Sequence, residues 1–342
     1  MATSRTVTYG ALLTTTFENT DKVAHDIITE SMPGLYWLSK KSRVKAGGGD
    51  HIRRNVAVRF NTDGGSFATG DRITATDQNP VEPAKWEWAQ YDKPTIFFTA
   101  DAKKNAGAEQ IIDLGKAKMK QTLNSLKNDM AGDFYKSGGD NKLTGLKAFA
   151  DVNNYTTDTY GGLSRATYSD WRPYCKGSTV GACYTTTVPT EQLLNAMRFA
   201  FITCANKGDN GAPDFALTSI QGFDYLEQRV MNALRVYDTE VGDMGFGGLK
   251  FKGMTVMADP YLNTTDGTNQ GTSGETMYIL NSKTWEWVTL TPDMKNGYET
   301  RGPIDLEEQI GKRWDTYFIG QMINSDPRAN AVLYGITAVA AS

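Results

Sequence analysis

Apolar and polar positions change rhythm along the chain, and each change marks a candidate element. In RNVAVRF, residues 54–60, Val56, Val58 and Phe60 alternate with Asn55, Ala57 and Arg59. A period of two predicts a strand with one face inward. The next stretch, NTDGGSFATGDRITATDQNPVEPA, has no period and is rich in Gly, Thr and Asp. KWEWAQYDKPTIFFTAD then returns as an extended run, with Trp86 and Trp88 on one face. Residues 53–99 therefore predict a long two-stranded ribbon with a loose tip. Two strands alone are marginal in water, so the ribbon's apolar face needs completing from outside its own chain.

A slower rhythm follows in AEQIIDLGKAKMKQTLNSLKNDMAGDFYKSG, residues 108–138. Ile112, Met119, Leu123, Leu126, Met130 and Phe134 recur in steps that keep them on one helical face. Lys116, Lys120, Asn124 and Lys127 lie mainly off it. From Ala108 to Lys136 such a helix spans about 40 Å at 1.5 Å per residue. Ser137-Gly138-Gly139 ends it.

Residues 140–300 predict a mixed unit. TEQLLNAMRFAFITCANKG reads as a helix capped by Thr190, with Leu193, Leu194, Met197, Phe201 and Cys204 inward. PDFALTS, GLKFKGMTVMADP and ETMYILN read as strands, and GFDYLEQRVMNAL as a second helix. In the tail, two strand-like runs flank NSDPRAN and predict a hairpin lying against the long helix. The first 52 residues read as an arm. It holds a short helix over Asn19–Glu30, a break at Pro33-Gly34 and a joint at Gly47–Gly49. The predicted class is α+β.

Length and composition add bounds. The 342 residues exceed one small core, and 39% hydrophobic with 22% charged residues is ordinary for a water-soluble chain. The start lacks a basic-then-apolar leader, and no run approaches about 20 consecutive apolar residues. Cys175, Cys183 and Cys204 are widely spaced without a CxxC, which predicts free thiols in a reducing compartment. A net charge of −3 does not announce a polyanion binder. SKKSRVKAGGGDHIRR is the local exception, with Lys40, Lys41, Arg43, Lys45, Arg53 and Arg54 against Asp50. It reads either as a solvated linker or as an arm facing a polyanion.

Candidate chemistry is sparse. His25 and His51 are the only histidines, which excludes a histidine-rich metal site. The sequence has no GxSxG and no GxxxxGK[ST]. GDMGFGGLKF lacks dinucleotide spacing and reads as a turn, and TTDGTNQGTSGET misses the alternation of a calcium loop. Glu307 and Glu308 are adjacent and so diverge. An acid-based enzyme site would have to use Asp214, Asp224 and Glu227, of which the last two share a helical face and read as surface charges.

The order of basic arm, ribbon, long helix, mixed unit and closing strands resembles the major capsid proteins of tailed bacteriophages with the Hong Kong 97-like fold. PAKWEWAQYDKPTIFFT, KLTGLKAF, YGGLSRATYSDWRPY, PDFALTSIQGFDYLEQR and DPRANAVLYGI carry the likeness in that order. The resemblance implies an N-terminal arm at 1–52 and an extended loop at 53–99. It implies a peripheral domain with a spine helix at 100–140 and 300–342, and a mixed α/β axial domain at 141–299. It implies a non-enzymatic coat protein without cofactor or metal, in pentamers and hexamers of an icosahedral virion shell around double-stranded DNA. Assembly would occur in the host bacterial cytoplasm, away from membranes. The implied partners are a portal protein, a scaffolding protein and, in some relatives, a decoration protein. With the ribbon starting near residue 53, there is no room for a fused scaffold, so a separate one and no N-terminal cleavage are expected. The tip has no Lys, so no covalent cross-link is expected. Arg53, Arg54, Arg59, Trp86 and Trp88 are the candidate intersubunit contacts, and Lys40, Lys41, Arg43 and Lys45 the candidate genome-facing cations. The indoles are expected either to lose solvent on assembly or to be buried against the long helix. An encapsulin-like compartment of the same fold is the alternative.

Overall fold

A computed structural model describes residues 32–41, 43–46, 49–61, 63, 65–72, 76–100, 114–151, 154–176, 191–207, 210–230, 248–262, 274–290, 298–307 and 309–336. The chain runs α1 (Pro33–Lys41), β1 (Arg43–Ala46), β2 (Ile52–Ala57), β3 (Val81–Trp86), β4 (Ala89–Phe98), α2 (Leu114–Phe134) and α3 (Leu146–Phe149). It continues through β5 (Thr159–Tyr160), β6 (Leu163–Ser164), β7 (Tyr174–Lys176), α4 (Glu191–Ala205), β8 (Phe215–Thr218) and α5 (Ile220–Val230). The remaining strands are β9 (Gly248–Phe251), β10 (Met254–Ala258), β11 (Glu275–Leu280), β12 (Trp285–Thr289), β13 (Tyr298–Asp305), β14 (Gly311–Asn324) and β15 (Ala331–Ile336). The α+β class expected from the sequence is what the structure has. The expected helix over Asn19–Glu30, the capping Thr190 and residues 108–113 of the expected long helix lie outside the described residues.

Two compact units emerge. Among the described residues, the smaller comprises Asp92–Lys127 and Glu299–Tyr317. Within it, the Phe97 and Trp314 rings meet edge to face at 4.9 Å. The Thr95 and Thr122 hydroxyls lie 2.5 Å apart, and Lys118 Nζ sits 5.4 Å from the centre of the Phe97 ring. Leu126, Met130 and Phe134 of α2 are fully buried, whereas Met119 and Leu123 are half-buried.

The larger unit comprises Glu30–Tyr91, Asn128–Tyr298 and Phe318–Ser342. Its six-stranded sheet has the order β7-β15-β11-β8-β10-β9. Neighbours pair antiparallel except β8 with β10 and β7 with β15, which are parallel. Leu193, Met197, Ala200 and Cys204 of α4 and Leu226 of α5 cover one sheet face, against Ala216, Val256, Met277, Ile279 and Leu333. On the opposite face, Trp37 of α1 stacks on Phe215 at 5.0 Å. All four residues of β8 are buried, which explains why PDFALTS reads as a continuous apolar run rather than an alternating one.

Three sequence expectations need correction. Pro33-Gly34 does not break the chain; it begins α1, because proline at the first helical position costs no hydrogen bond. Leu35, Trp37 and Leu38 anchor that helix in the core. The run from Lys85 to Asp101 is not one strand: β3 pairs with β2, whereas β4 pairs with β14. The tail is not a hairpin either. β14 lies beside β12 and β15 lies between β11 and β7, in different sheets.

A polar network redirects the chain between β14 and β15. The Asn330 carboxamide oxygen accepts from the Asn281 amide at 2.8 Å and from Trp285 Nε1 at 3.0 Å. Its nitrogen donates to Thr284 Oγ1 and to the Asp326 carbonyl, each at 3.0 Å. Asn330 and Thr284 are wholly buried, so these bonds replace the solvation both lose. A second buried hub is Arg165, whose Nε donates to the Trp171 carbonyl at 3.2 Å and whose Nη2 donates to the Phe149 carbonyl. Burial lowers its pKa, partly offset by Tyr160. Arg165 and Trp171 both belong to YGGLSRATYSDWRPY, which accounts for that stretch's aromatic density.

Candidate intersubunit surface

The ribbon starts as a clean antiparallel pair, from Ile52 opposite Trp86 to Ala57 opposite Val81. Alternation puts Ile52, Ala84 and Trp86 inward and Arg53 and Lys85 outward. Trp86 meets Tyr160 edge to face at 5.7 Å. Gly161, at φ +59°, lets the backbone pass under that indole, where a Cβ would lie 2.6 Å from a ring carbon. The Lys85 amide donates to the Gly161 carbonyl at 2.8 Å, fixing the ribbon's root to the β5–β6 turn. Trp88 Nε1 donates to the Gly49 carbonyl at 2.9 Å.

Trp86 is only 4% exposed and Trp88 9% exposed in the single chain. The expectation that both lose solvent on assembly is therefore corrected, since little solvent remains to lose. For Trp86, Tyr160 and the Gly161 backbone are covering groups.

The arginines divide. Arg54 Nε pairs with Glu286 Oε2 at 2.8 Å, and Glu286 is almost fully buried, so Arg54 is committed within its own chain. The Arg59 guanidinium lies 5.0 Å from the centre of the Tyr168 ring, whose hydroxyl donates to Glu82 at 3.2 Å. Arg53 differs: it is exposed and stands directly opposite exposed Lys85. Like charges across a strand pair repel, which an acidic partner would relieve. A cavity of about 370 Å³ opens here, lined by His51, Arg53, Arg54 and Trp88 among others. Both ring nitrogens of His51 face carboxylates at 3.0 Å, Nε2 to Asp50 and Nδ1 to Glu87.

Past Ala57 the ribbon opens. The Val58 amide closes the last rung on the Pro80 carbonyl at 2.9 Å. Asp63 accepts from both the Thr76 amide and hydroxyl at 2.5 Å, and these bonds lower its pKa. Phe60 and Phe67 project beyond that point, 77% and 69% exposed. The sequence pattern places Phe60 on the inward face with Val56 and Val58; the structure corrects this, because β2 ends at Ala57 and Phe60 lies beyond the paired strands. Phe67, a lone phenylalanine in a stretch otherwise rich in Gly, Thr and Asp, is not singled out by that pattern.

The basic segment runs through the end of α1 and through β1. Lys40 lies on the last turn of α1, exposed, with Nζ 5.9 Å from the centre of the Tyr36 ring. Arg43 and Lys45 belong to β1, which pairs parallel with β12 from Arg43 opposite Glu286 to Ala46 opposite Thr289. The side chains of Lys41, Arg43 and Lys45 are outside the description.

The carboxylates considered for catalysis serve local structure. Asp214 accepts from the Ser282 amide at 2.8 Å and hydroxyl at 2.5 Å, and Asp224 accepts from Gln228 at 2.8 Å. Glu227 is half-buried on α5. Among the described residues, no group of three or more His, Cys, Asp or Glu is arranged to hold a metal ion, and no helix is long and apolar enough to cross a membrane. The surface offers cations and exposed rings, which suit binding.

No protein-family model matches the sequence, and no curated protein matches it either. Solved structures do. The capsid asymmetric unit of cyanophage A-1(L) superposes over 93% of this chain and 96% of its own, with a TM-score of 0.66 at 19% identity. The capsid of a native GTA particle covers 98% of this chain and 100% of its own, with a TM-score of 0.58 at 12% identity. This chain has the phage capsid-protein fold. The SrpI encapsulin of Synechococcus elongatus shares it, with a TM-score of 0.58 at 10% identity over 94% of this chain and 95% of its own. The capsid fold here thus rests on whole-chain geometry, with the exposed tip and the Arg53–Lys85 pair as its outward features.

Proposed function

We propose that this chain is the major capsid protein of a tailed bacteriophage, and that many copies close an icosahedral virion shell around double-stranded DNA. The supporting observation is end-to-end likeness to capsid subunits, with 93% of this chain matched to 96% of one of them. The exposed tip agrees with it, because bare phenylalanines on a ribbon are stabilised by a surface that covers them. In this reading residues 53–99 are the extended loop. Residues 100–140 and 300–342 form the peripheral domain, and residues 141–299 the axial domain. The copies form pentamers and hexamers, guided by a scaffolding protein and closed by a portal. Arg53 with Lys85 receives an acidic side chain from a neighbouring copy, and the cations from Lys40 to Lys45 face the packaged genome through non-specific phosphate contacts.

Electron microscopy of the protein produced with its scaffold tests the proposal. Uniform closed shells are the expected result, and a small soluble oligomer would overturn it. The likeness to an encapsulin supports a second reading, a protein-filled compartment. Nuclease-resistant DNA in native particles separates the two, since only the virion reading expects it.

A further inference from the structure

Outside the ribbon, two helices of the larger unit carry apolar side chains that their own core does not use. α4 turns Leu193, Met197 and Cys204 inward and leaves Phe199 and Ile202, one turn apart, exposed; Phe199 is 57% exposed. Tyr174 of β7 extends this patch, with its ring 6.0 Å from that of Phe199. Its rim is basic: Arg198 is exposed beside it, and Lys176 Nζ lies 5.4 Å from the centre of the Phe199 ring. On α5 the outer stripe is Ile220, 62% exposed, followed one turn later by exposed Asp224. That rim is acidic. Both helices cover the same face of the same sheet, through one apolar cluster.

We propose that the α4 patch of one copy seats on the α5 stripe of the next, with Phe199 and Ile202 against Ile220 and Arg198 facing Asp224. The contact deepens the shell reading and rests on it. Charge selects this pairing over the symmetric alternatives. Two α4 patches face to face would oppose Arg198 to Arg198, and two α5 stripes would oppose Asp224 to Asp224, whereas the mixed contact opposes unlike charges. Because each copy offers one patch of each kind, the contact is head-to-tail and propagates, closing into a ring when the rotation per copy allows it.

The test compares wild type, Arg198→Asp, Asp224→Arg and the double variant under the conditions in which wild type closes, using sedimentation and negative-stain microscopy. Each single variant is expected to yield about tenfold fewer closed particles, from the like-charge contact it creates. The double variant restores the unlike pairing and is expected to recover most of the yield. Urea unfolding of all four chains, expected to coincide, separates assembly from folding. Phe199→Ser supplies an uncharged check, with a similar loss of particles and an unchanged unfolding midpoint. Single variants that close at wild-type yield, or a double variant as defective as the singles, overturn the contact and leave the shell reading standing. Wild-type protein that never closes overturns the shell reading and the contact with it.

Discussion

The Tyr135 hydroxyl donates to Asp259 Oδ2 at 2.6 Å in the buried interior of the larger unit. The same oxygen accepts from the Gly34 amide at 2.9 Å, so one carboxylate joins the start of α1 to the residue that follows α2. Asp259 Oδ1 accepts from the Tyr261 amide at 3.0 Å. Tyr135→Phe removes one donor from a buried carboxylate and is expected to lower stability by about 1.5–3 kcal/mol. Gly34→Ala is expected to cost more, because its Cβ would lie 2.6 Å from Tyr135 Oη and 2.9 Å from Phe134 and Asp259 atoms. Urea unfolding of the unassembled subunit checks both. A wild-type midpoint for Gly34→Ala would mean that α1 is not held by this joint.

Trp86→Ala acts on the subunit before it acts on the shell. The indole is buried in its own chain against Tyr160 and above Gly161. Its truncation is expected to cost about 3–5 kcal/mol of subunit stability. The measurement is the unfolding midpoint at concentrations too low for assembly. If only assembly suffers, the ribbon root is not packed as described.

Alkaline pH should unfold the subunit through its buried phenols and thiols. Burial raises the pKa of Tyr91, Tyr135, Tyr160 and Tyr298 above their ordinary value of 10.0, and that of the Cys204 thiol from 9.0 to about 12. A group that holds its proton more tightly when folded leaves stability unchanged below its unfolded pKa and reduces it as pH climbs toward the folded value. Stability is therefore expected to be insensitive to these groups up to about pH 9 and to fall steeply beyond about pH 10. A pH series of urea midpoints measures this. For the same reason, Cys204 is expected to resist alkylation in the native protein and to react once unfolded.

The Asn330 network makes the turn between β14 and β15 sensitive to small changes. Asn330→Ala strands Trp285 Nε1 and the Asn281 amide in a buried site, while the Thr284 hydroxyl keeps Asn324 and the Asn281 carbonyl. Each lost partner costs about 1–3 kcal/mol, so the variant is expected to be among the most destabilised single substitutions in the chain. Asn330→Asp keeps the two accepted bonds but sets a buried carboxylate oxygen against the Asp326 carbonyl, so at neutral pH it is expected to melt no higher than Asn330→Ala in a thermal scan.

Local pattern carried much of the fold. The periodicity of α2 and α4 was legible because their apolar residues recur on one face, and Met130, Phe134, Met197 and Cys204 are buried accordingly. The destination of a strand was not legible. NSDPRAN looks like a hairpin turn, and only the side-chain bonds of Asn330 and Asp326, made to residues far away in sequence, send β15 into another sheet. Arg54 and Arg53 are indistinguishable as letters; one meets buried Glu286 and the other faces Lys85, a difference set by strand register. The basic run from Lys40 to Lys45 suggested a loose arm because its charges hide that β1 pairs with β12.

Phe60 and Phe67 separate a shell subunit from a self-sufficient globule. Neither is buried in its own chain, so Phe60→Ser with Phe67→Ser removes almost no intrachain packing. Subunit stability is expected to change by less than about 0.5 kcal/mol. A surface that covers two phenylalanines gains about 1.5–3 kcal/mol from each, repeated at every copy, so assembly is expected to fail or to need far higher concentration. Urea unfolding and sedimentation on the same preparations give the two numbers. Closed particles forming at the wild-type concentration would show that the ribbon tip stays in solvent and that the copies hold together elsewhere.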